Sequence, residues 1–226
     1  MPSLPPARPD LVIFDCDGVL IDSELIACRV LSDALGEVGI AIPAEEIAER
    51  YVGLTGDAIF ADLKARTGRS IPEGFRERTR PRLEAAFETG LQPMPGILAL
   101  LAALPVRACV ASGSPPDRLH HSLAVAGLFD RFTPHIFSAA QVARGKPAPD
   151  LFLLAASRMG VAPEACWVVE DSRAGIEAAQ AAGMTALGFA GGSHCRDGHP
   201  EKLRQAGAVL VFQRLQELAD LLAVSR

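Results

Sequence analysis

Six short runs of mostly apolar residues, rich in β-branched side chains, recur along the chain and are separated by stretches with helical periodicity. Near-continuous apolar strands of this length are typical of a parallel sheet that is covered by helices on both faces. The predicted strands are 11–14, 106–111, 135–138, 166–169, 185–189 and 208–212. The predicted helices between and after them are 97–104, 117–126, 149–159, 173–182, 201–206 and 215–224. This pattern predicts an α/β fold with a doubly wound parallel sheet.

One interval breaks the alternation. A crossover between parallel strands needs a dozen or more residues, whereas about 90 residues without a convincing strand separate the first strand from the second. The interval contains four helical stretches, at 24–38, 44–51, 55–66 and 73–88, with Gly39, Gly68 and Gly90 between or after them. We therefore predict an inserted helical domain at 23–92 and a core made of 1–22 and 93–226. The linkers are expected near 21–23 and 90–95.

Composition excludes several classes of protein. The chain has 226 residues, 49% of them hydrophobic, and a net charge of −5, which argues against binding to nucleic acid or to an anionic membrane. No apolar run approaches the ~20 residues of a membrane span. The first ten residues contain four prolines and no apolar stretch, so we expect a short extended arm and not a signal peptide. Five scattered cysteines are typical of reduced thiols in a cytoplasmic protein. We expect a monomer or a weak homodimer.

Polar residues follow four of the predicted strands. In an open parallel sheet, ligands bind beyond the carboxyl ends of the strands, so these groups should meet at one edge. They are Asp15 and Asp17 after the first strand, Ser112 to Ser114 after the second, Lys146 some way after the third, and Glu170 with Asp171 after the fourth.

These residue types suit phosphoryl transfer. Four carboxylates so close together need a neutralising cation, and an all-oxygen set beside a phosphate favours Mg²⁺. Lys146 and Ser112 offer the phosphoryl group a cation and a hydroxyl donor. Asp15 can act as a nucleophile, and Asp17 can exchange a proton with the leaving oxygen and then with water.

Each residue alone is also compatible with a structural role. A strand-end aspartate or Ser112 is often a turn or helix-capping residue, Lys146 could be solvated, and Asp171-Ser172 could cap the next helix. Neither an EF-hand nor a Walker A pattern fits. Cysteine and histidine at 194, 195 and 199 fit no standard zinc spacing and are interpreted as a loop. The order of four polar groups at four strand ends favours a catalytic site.

The four motifs together resemble those of the haloacid dehalogenase-like (HAD) hydrolase superfamily over nearly the full chain. More narrowly, the chain resembles the β-phosphoglucomutase and phosphoglycolate phosphatase branch, which carries a helical cap after the first strand. The matching segments are 14–24 (FDCDGVLIDSE), 110–114 (VASGS), 145–150 (GKPAPD) and 169–176 (VEDSRAGI). The loop at 191–194 also resembles loops of bacterial sugar-phosphate phosphatases, including those that act on 6-phosphogluconate.

The resemblance implies a Rossmann-like doubly wound parallel sheet core with an inserted α-helical cap domain that closes over the site. It implies that a small phosphorylated metabolite is the substrate and Mg²⁺ the cofactor. The implied roles are a nucleophile and metal ligand for Asp15, a general acid/base with its backbone carbonyl on the metal for Asp17, metal ligation for Asp171 together with Glu170, and phosphate binding for Ser112, Gly113 and Lys146.

Three functions stay open from the sequence. The presence of Asp17 favours transfer of phosphate from an oxygen ester over dehalogenation or phosphonate cleavage, so a phosphatase is preferred. A sugar-phosphate mutase of the same fold is the first alternative. Against it, Ala27 and Gly56 stand where such mutases carry a histidine and an arginine, although Arg29 could replace the arginine. The second alternative is a non-catalytic binding module on the same scaffold. The cap residues expected to face the substrate are 52–56 and Arg29.

Overall fold

The computed structural model of the chain describes residues 8–54 and 56–224. Its strands form one fully parallel six-stranded sheet in the order β3-β2-β1-β4-β5-β6. The strands are β1 Leu11–Phe14, β2 Arg107–Ser112, β3 Ile136–Ser138, β4 Cys166–Glu170, β5 Thr185–Phe189 and β6 Leu210–Phe212. Two apolar clusters of buried side chains cover opposite faces of this sheet, as near-continuous apolar strands require. The predicted fold class is confirmed.

The helices of the core flank the sheet. They are α5 Ile97–Ala103, α6 Pro116–Val125, α7 Phe129–Phe132, α8 Asp150–Met159, α9 Arg173–Ala181, α10 His199–Gln205 and α11 Leu215–Val224. The predicted strands and core helices begin and end within two residues of the observed ones. Among the α-helices of the described core, α7 was not predicted, because a helix of four residues is too short to show a periodic pattern. Two short 3-10 helices, Ala139–Gln141 and Pro163–Ala165, were not predicted either.

Four further helices fill the interval that lacks strands. They are α1 Glu24–Glu37, α2 Ala44–Tyr51, α3 Gly56–Thr67 and α4 Phe75–Gly90. They enclose a third apolar cluster of their own, which includes Leu35, Ile47 and Leu63. Gly39 and Gly68 have positive φ angles at helix ends, whereas Gly90 is the last residue of α4. Residues 1–7 of the predicted extended arm and Thr55 lie outside the described residues.

The two connections between these helices and the sheet run side by side. Ile21 forms an isolated antiparallel bridge with Pro93. The backbone N–H of Asp22 donates to the carbonyl of Gln92, at 3.1 Å, and the N–H of Met94 donates to that of Leu20, at 2.8 Å. The chain therefore leaves and re-enters the core at one place, beside the carboxyl end of β1.

Candidate active site

The central position of β1 brings the predicted residues together. This strand pairs with β2 on one side and with β4 on the other, so the residues that follow all three strands share one edge of the sheet. Asp15, Ser112, Glu170 and Asp171 are all buried there, with at most 8% of their surface exposed. Lys146, from the segment between β3 and α8, completes the group.

Lys146 connects two of the carboxylates. Its Nζ atom lies 2.7 Å from Oδ1 of Asp15 and 2.5 Å from Oε1 of Glu170, and it also donates to the carbonyl of Ala111 at 3.1 Å. The ring of Phe152 packs against the ammonium group at 4.9 Å. Burial disfavours a charged lysine, but Asp15 and Glu170 outweigh it and raise the pKa of Lys146, so this side chain is a cation at neutral pH.

Glu170 is held by the start of the following helix. Its Oε2 accepts hydrogen bonds from the backbone N–H and the hydroxyl of Ser172, at 3.0 and 2.9 Å. Ser172 is also the N-cap of α9, since its hydroxyl oxygen accepts from the N–H of Gly175 at 3.0 Å. A Cβ at position 175 would overlap the Glu170 carboxylate, so glycine is required there. Both oxygens of Glu170 therefore have protein partners.

Asp15, Glu170 and Asp171 form a compact acidic cluster, in which one carboxylate oxygen of each lies within 4.8 Å of the others. Burial raises the pKa of Asp15 well above its usual range; Lys146 partly offsets this, and the charges of Glu170 and Asp171 add to it. Burial and the charge of Glu170 likewise raise the pKa of Asp171. A buried set of oxygen ligands with surplus negative charge fits a hard divalent cation such as Mg²⁺.

The carboxylate of Asp17 faces away from this cluster. Its Oδ1 accepts from the hydroxyl of Ser23 at 2.6 Å and from Nη2 of Arg118 at 3.2 Å, and its Oδ2 accepts from the hydroxyl of Ser114 at 2.7 Å. Burial opposes ionisation of Asp17, but Arg118, Ser23 and Ser114 outweigh burial and lower its pKa.

Three of these partners were missed by the sequence analysis in this role. Arg118 lies on α6 and its guanidinium stacks over the ring of Phe87 from α4, 5.7 Å from the ring centroid. Ser114 belongs to a motif that was recognised, but only Ser112 and Gly113 of that motif were assigned to the site. Ser23 stands at the end of the first motif, and no local pattern in the sequence connects it with Asp17.

The second motif offers donors beside the acidic cluster. The hydroxyl oxygen of Ser112 accepts from the backbone N–H of Ser114 at 3.1 Å, which leaves the hydroxyl hydrogen to donate to a bound anion. Gly113 is exposed, and a Cβ there would meet no atom within 4 Å, so its backbone is open to a ligand.

The loop after α2 contacts the same region from the helical insertion. Val52 lines a small cavity of about 130 Å³ beside Asp171, and Gly53 packs against Ser172. Three basic residues, Arg173, Arg196 and Lys202, line the cavity on its core side. Arg29, the other residue expected to face the substrate, is exposed on α1.

Comparisons with known proteins identify the family of the chain. A family model for haloacid dehalogenase-like hydrolases matches residues 9–183. The 6-phosphogluconate phosphatase of Escherichia coli is 32% identical over 216 residues, which are 95% of each chain. A HAD family hydrolase of Deinococcus radiodurans, solved with bound phosphate and sodium, is 36% identical with a TM-score of 0.79 over 97% of both chains. A Thermotoga maritima protein assigned as a β-phosphoglucomutase is 28% identical, with a TM-score of 0.75 over 95% of this chain and 99% of its own.

The chain belongs to the haloacid dehalogenase-like hydrolase family. Within that family it is an enzyme of the phosphatase type, which rejects the alternative of a non-catalytic binding module. Its sequence resemblance to the β-phosphoglucomutase and phosphoglycolate phosphatase branch is confirmed. None of the helices in the described ranges combines the length and hydropathy that a bilayer span requires.

Proposed function

We propose that this enzyme is a Mg²⁺-dependent phosphatase of sugar or sugar-acid phosphates that acts through a phosphorylated Asp15. The observation that carries the proposal is the bridge of Lys146 between Asp15 and Glu170, with Asp171 in the same cluster. Such a centre presents a nucleophile, a fixed cation and metal-binding oxygens to one phosphoryl group. Similarity to a 6-phosphogluconate phosphatase and the basic residues Arg173, Arg196 and Lys202 in the cavity lining support the substrate class.

Asp15 and Asp171, with the backbone carbonyl of Asp17, would hold the metal ion. When bound, Mg²⁺ supplies positive charge that neutralises the carboxylates and the phosphoryl oxygens. Glu170 was predicted as a further ligand; its hydrogen bonds to Lys146 and Ser172 favour an indirect role, in which it fixes the lysine.

The reaction has two steps on the side chains of this chain. Asp15 attacks phosphorus, the bond to the ester oxygen breaks, and Asp17 gives that oxygen a proton, which its carboxylate, ionised in the free enzyme, takes up when the ester binds. Asp17 then takes a proton from water as the water attacks phosphorus, and the bond to Asp15 breaks. Ser112, the N–H of Gly113 and Lys146 hold the phosphoryl oxygens in both steps. Residues 23–92 would act as a cap over the core of 1–22 and 93–226 and exclude other water.

The test is a phosphate-release screen with sugar, polyol and sugar-acid phosphates, including 6-phosphogluconate, with Mg²⁺ and after chelation. Asp15→Asn protein serves as the blank for contaminating phosphatases. We expect release that needs the metal and is absent from the blank. Full activity after chelation would contradict the metal requirement, and no release from any member of the panel would contradict the substrate class.

A sugar-phosphate mutase passes through the same phosphorylated aspartate, so it needs its own test. The proposal favours water as the acceptor because Gly56 cannot provide the bidentate grip of an arginine on a second phosphate. Incubation with β-glucose 1-phosphate, Mg²⁺ and a trace of the bisphosphate should release phosphate. Stoichiometric isomerisation to glucose 6-phosphate with little free phosphate would show that the enzyme is a mutase.

We also propose that the enzyme is cytoplasmic, because its five cysteines are odd in number and scattered. Its proposed oligomeric state is a monomer or a weak homodimer.

A further inference from the structure

Two histidines of the loop between β5 and α10 contact the same residue of the candidate site. Nε2 of His194 lies 3.0 Å from Oδ2 of Asp171, and Nε2 of His199 lies 2.8 Å from the backbone carbonyl oxygen of Asp171. The two rings meet edge to face, with centroids 5.6 Å apart. One histidine thus contacts the carboxylate of Asp171, and the other contacts its backbone.

The position of the His194 ring is fixed by its surroundings. The residue is 4% exposed, and a Cβ at either Gly18 or Gly192 would overlap its ring. Gly18 belongs to the first motif and also approaches the carboxylate of Asp171, so two glycines leave room for the imidazole beside this aspartate. A histidine whose ring pointed into solvent would not need glycine at both positions 18 and 192.

The loop itself is attached to the linker that leads into the helical insertion. The backbone N–H and the hydroxyl of Ser193 both donate to Oδ1 of Asp22, at 3.1 and 2.8 Å. The N–H of Cys195 donates to the carbonyl of Gly192, which closes a tight turn around His194. The backbone on both sides of His194 is therefore held, and its ring has little freedom to turn away from Asp171.

We propose that His194 and His199 are positioning residues that orient Asp171 toward the divalent cation. His194 donates from Nε2 to one carboxylate oxygen, which leaves the other oxygen of Asp171 for the ion, and His199 donates to the Asp171 carbonyl. The inference rests on the metal site of the proposed function. In the group of His194, Cys195 and His199, the Nε2 atoms of both histidines contact Asp171.

The expected size of the effect follows from the role of such partners in other metal sites. Loss of a hydrogen-bond partner behind a metal ligand typically lowers metal affinity about 10- to 100-fold. We therefore expect His194→Leu and His194→Asn to weaken Mg²⁺ binding by at least about tenfold, because the amide nitrogen of asparagine overlays Nδ1 and not Nε2. In His194→Gln the amide nitrogen reaches the Nε2 position and should restore most of the affinity. His199→Leu should weaken binding less, since His199 contacts only the backbone of Asp171.

The experiment is a calorimetric titration of Mg²⁺ into the full-length protein without substrate, so that its result does not depend on turnover. Met184→Ala, which removes a buried side chain of the same apolar cluster as the loop, is the control for lost packing. It should lower thermal stability and leave Mg²⁺ affinity unchanged. With saturating Mg²⁺, His194→Leu should recover most of kcat, with the KM for the phosphate ester unchanged.

Equal Mg²⁺ affinity in wild type and His194→Leu would overturn the inference. If the leucine variant fails to fold, the glutamine and asparagine variants decide: the inference requires that Gln retains affinity and Asn loses it, and equal affinities would reject it. A wild type that hydrolyses phosphate esters and binds no Mg²⁺ would overturn the inference and the metal site together. Wild-type Mg²⁺ binding without any hydrolysis would overturn only the proposed function.

Discussion

Replacing Lys146 by methionine should destabilise the fold as well as abolish activity. The substitution keeps a side chain of similar length but leaves the buried carboxylates of Asp15 and Glu170 without their shared cation. Hydrogen bonds to charged groups contribute about 1.5–3 kcal/mol each, and removing one partner of a buried ion pair costs about 3–5 kcal/mol. We therefore expect Lys146→Met to lower the free energy of unfolding by about 3–5 kcal/mol at pH 7.5 without Mg²⁺.

Urea unfolding, followed by the fluorescence of the single tryptophan, measures this loss. Trp167 is buried on β4, the strand that ends at Glu170, and should report the global transition. Lys64→Met removes an exposed lysine on α3 and is the matched control, with an expected change within about 0.5 kcal/mol. Lys146→Met combined with Glu170→Gln should recover part of the loss, because one of the two uncompensated charges is removed.

The pH dependence gives a second check. Lys146 has a raised pKa, so in the wild type its contribution is fully present throughout pH 5–7.5. Asp15 has a raised pKa even with Lys146 present, and loss of the lysine raises it further. A carboxyl group with a raised pKa stabilises the fold at low pH and loses that contribution as pH rises, so the deficit of Lys146→Met should shrink as pH falls to 5. A loss below about 1 kcal/mol, or a double variant no more stable than the single one, would refute the reasoning.

Three further predictions concern other residues. Asp15→Asn should abolish turnover while the protein remains folded, and Asp17→Asn should slow turnover and accumulate phosphorylated enzyme; intact-protein mass spectrometry detects the phosphoryl group and excludes deamidation. The pKa of Glu24 is raised to about 7 by burial and by the charge of Asp17. As the pH rises from 4.5 to 8, the wild type should therefore lose up to about 3 kcal/mol of unfolding free energy relative to Glu24→Gln, measured by urea unfolding without metal. A difference between the two proteins that stays constant with pH would contradict this prediction. Gly175→Ala should lower the unfolding free energy by about 2–3 kcal/mol, because the added methyl group would overlap the carboxylate of Glu170. The control is Gly36→Ala on α1, where the methyl group meets no atom and stability should be equal or higher. Equal effects of the two substitutions would show that overlap with Glu170 is not the cause.

The residues that the sequence could predict are those tied to strand ends. Asp15 and the pair Glu170-Asp171 directly follow buried apolar runs, and the topology of a parallel sheet then places them together without further information. Lys146 was predicted through its motif, but the sequence does not show that one ammonium group bridges two carboxylates. That bridge depends on the path of the segment after β3.

Partners that come from other parts of the fold were beyond sequence reasoning. Arg118 occupies an ordinary helical position, and only the packing of α6 against α4 brings it to Asp17. His194 was interpreted as part of a loop because its spacing fits no metal motif. Its contact with Asp171 depends on the close approach that Gly18 and Gly192 permit, and a sequence pattern does not encode that approach.

The adjacent crossing points of the chain, where Ile21 pairs with Pro93, bear on how such enzymes diversify. The two ends of the insertion lie on neighbouring, hydrogen-bonded segments. The insertion therefore places the same geometric demand on the sheet as a short surface loop would. Its helices also bury an apolar cluster of their own. Under the proposed function, substrate selection could therefore be exchanged as a unit, by grafting another helical insertion between the same two segments, while Asp15, Asp17 and the sheet beneath them keep their sequence.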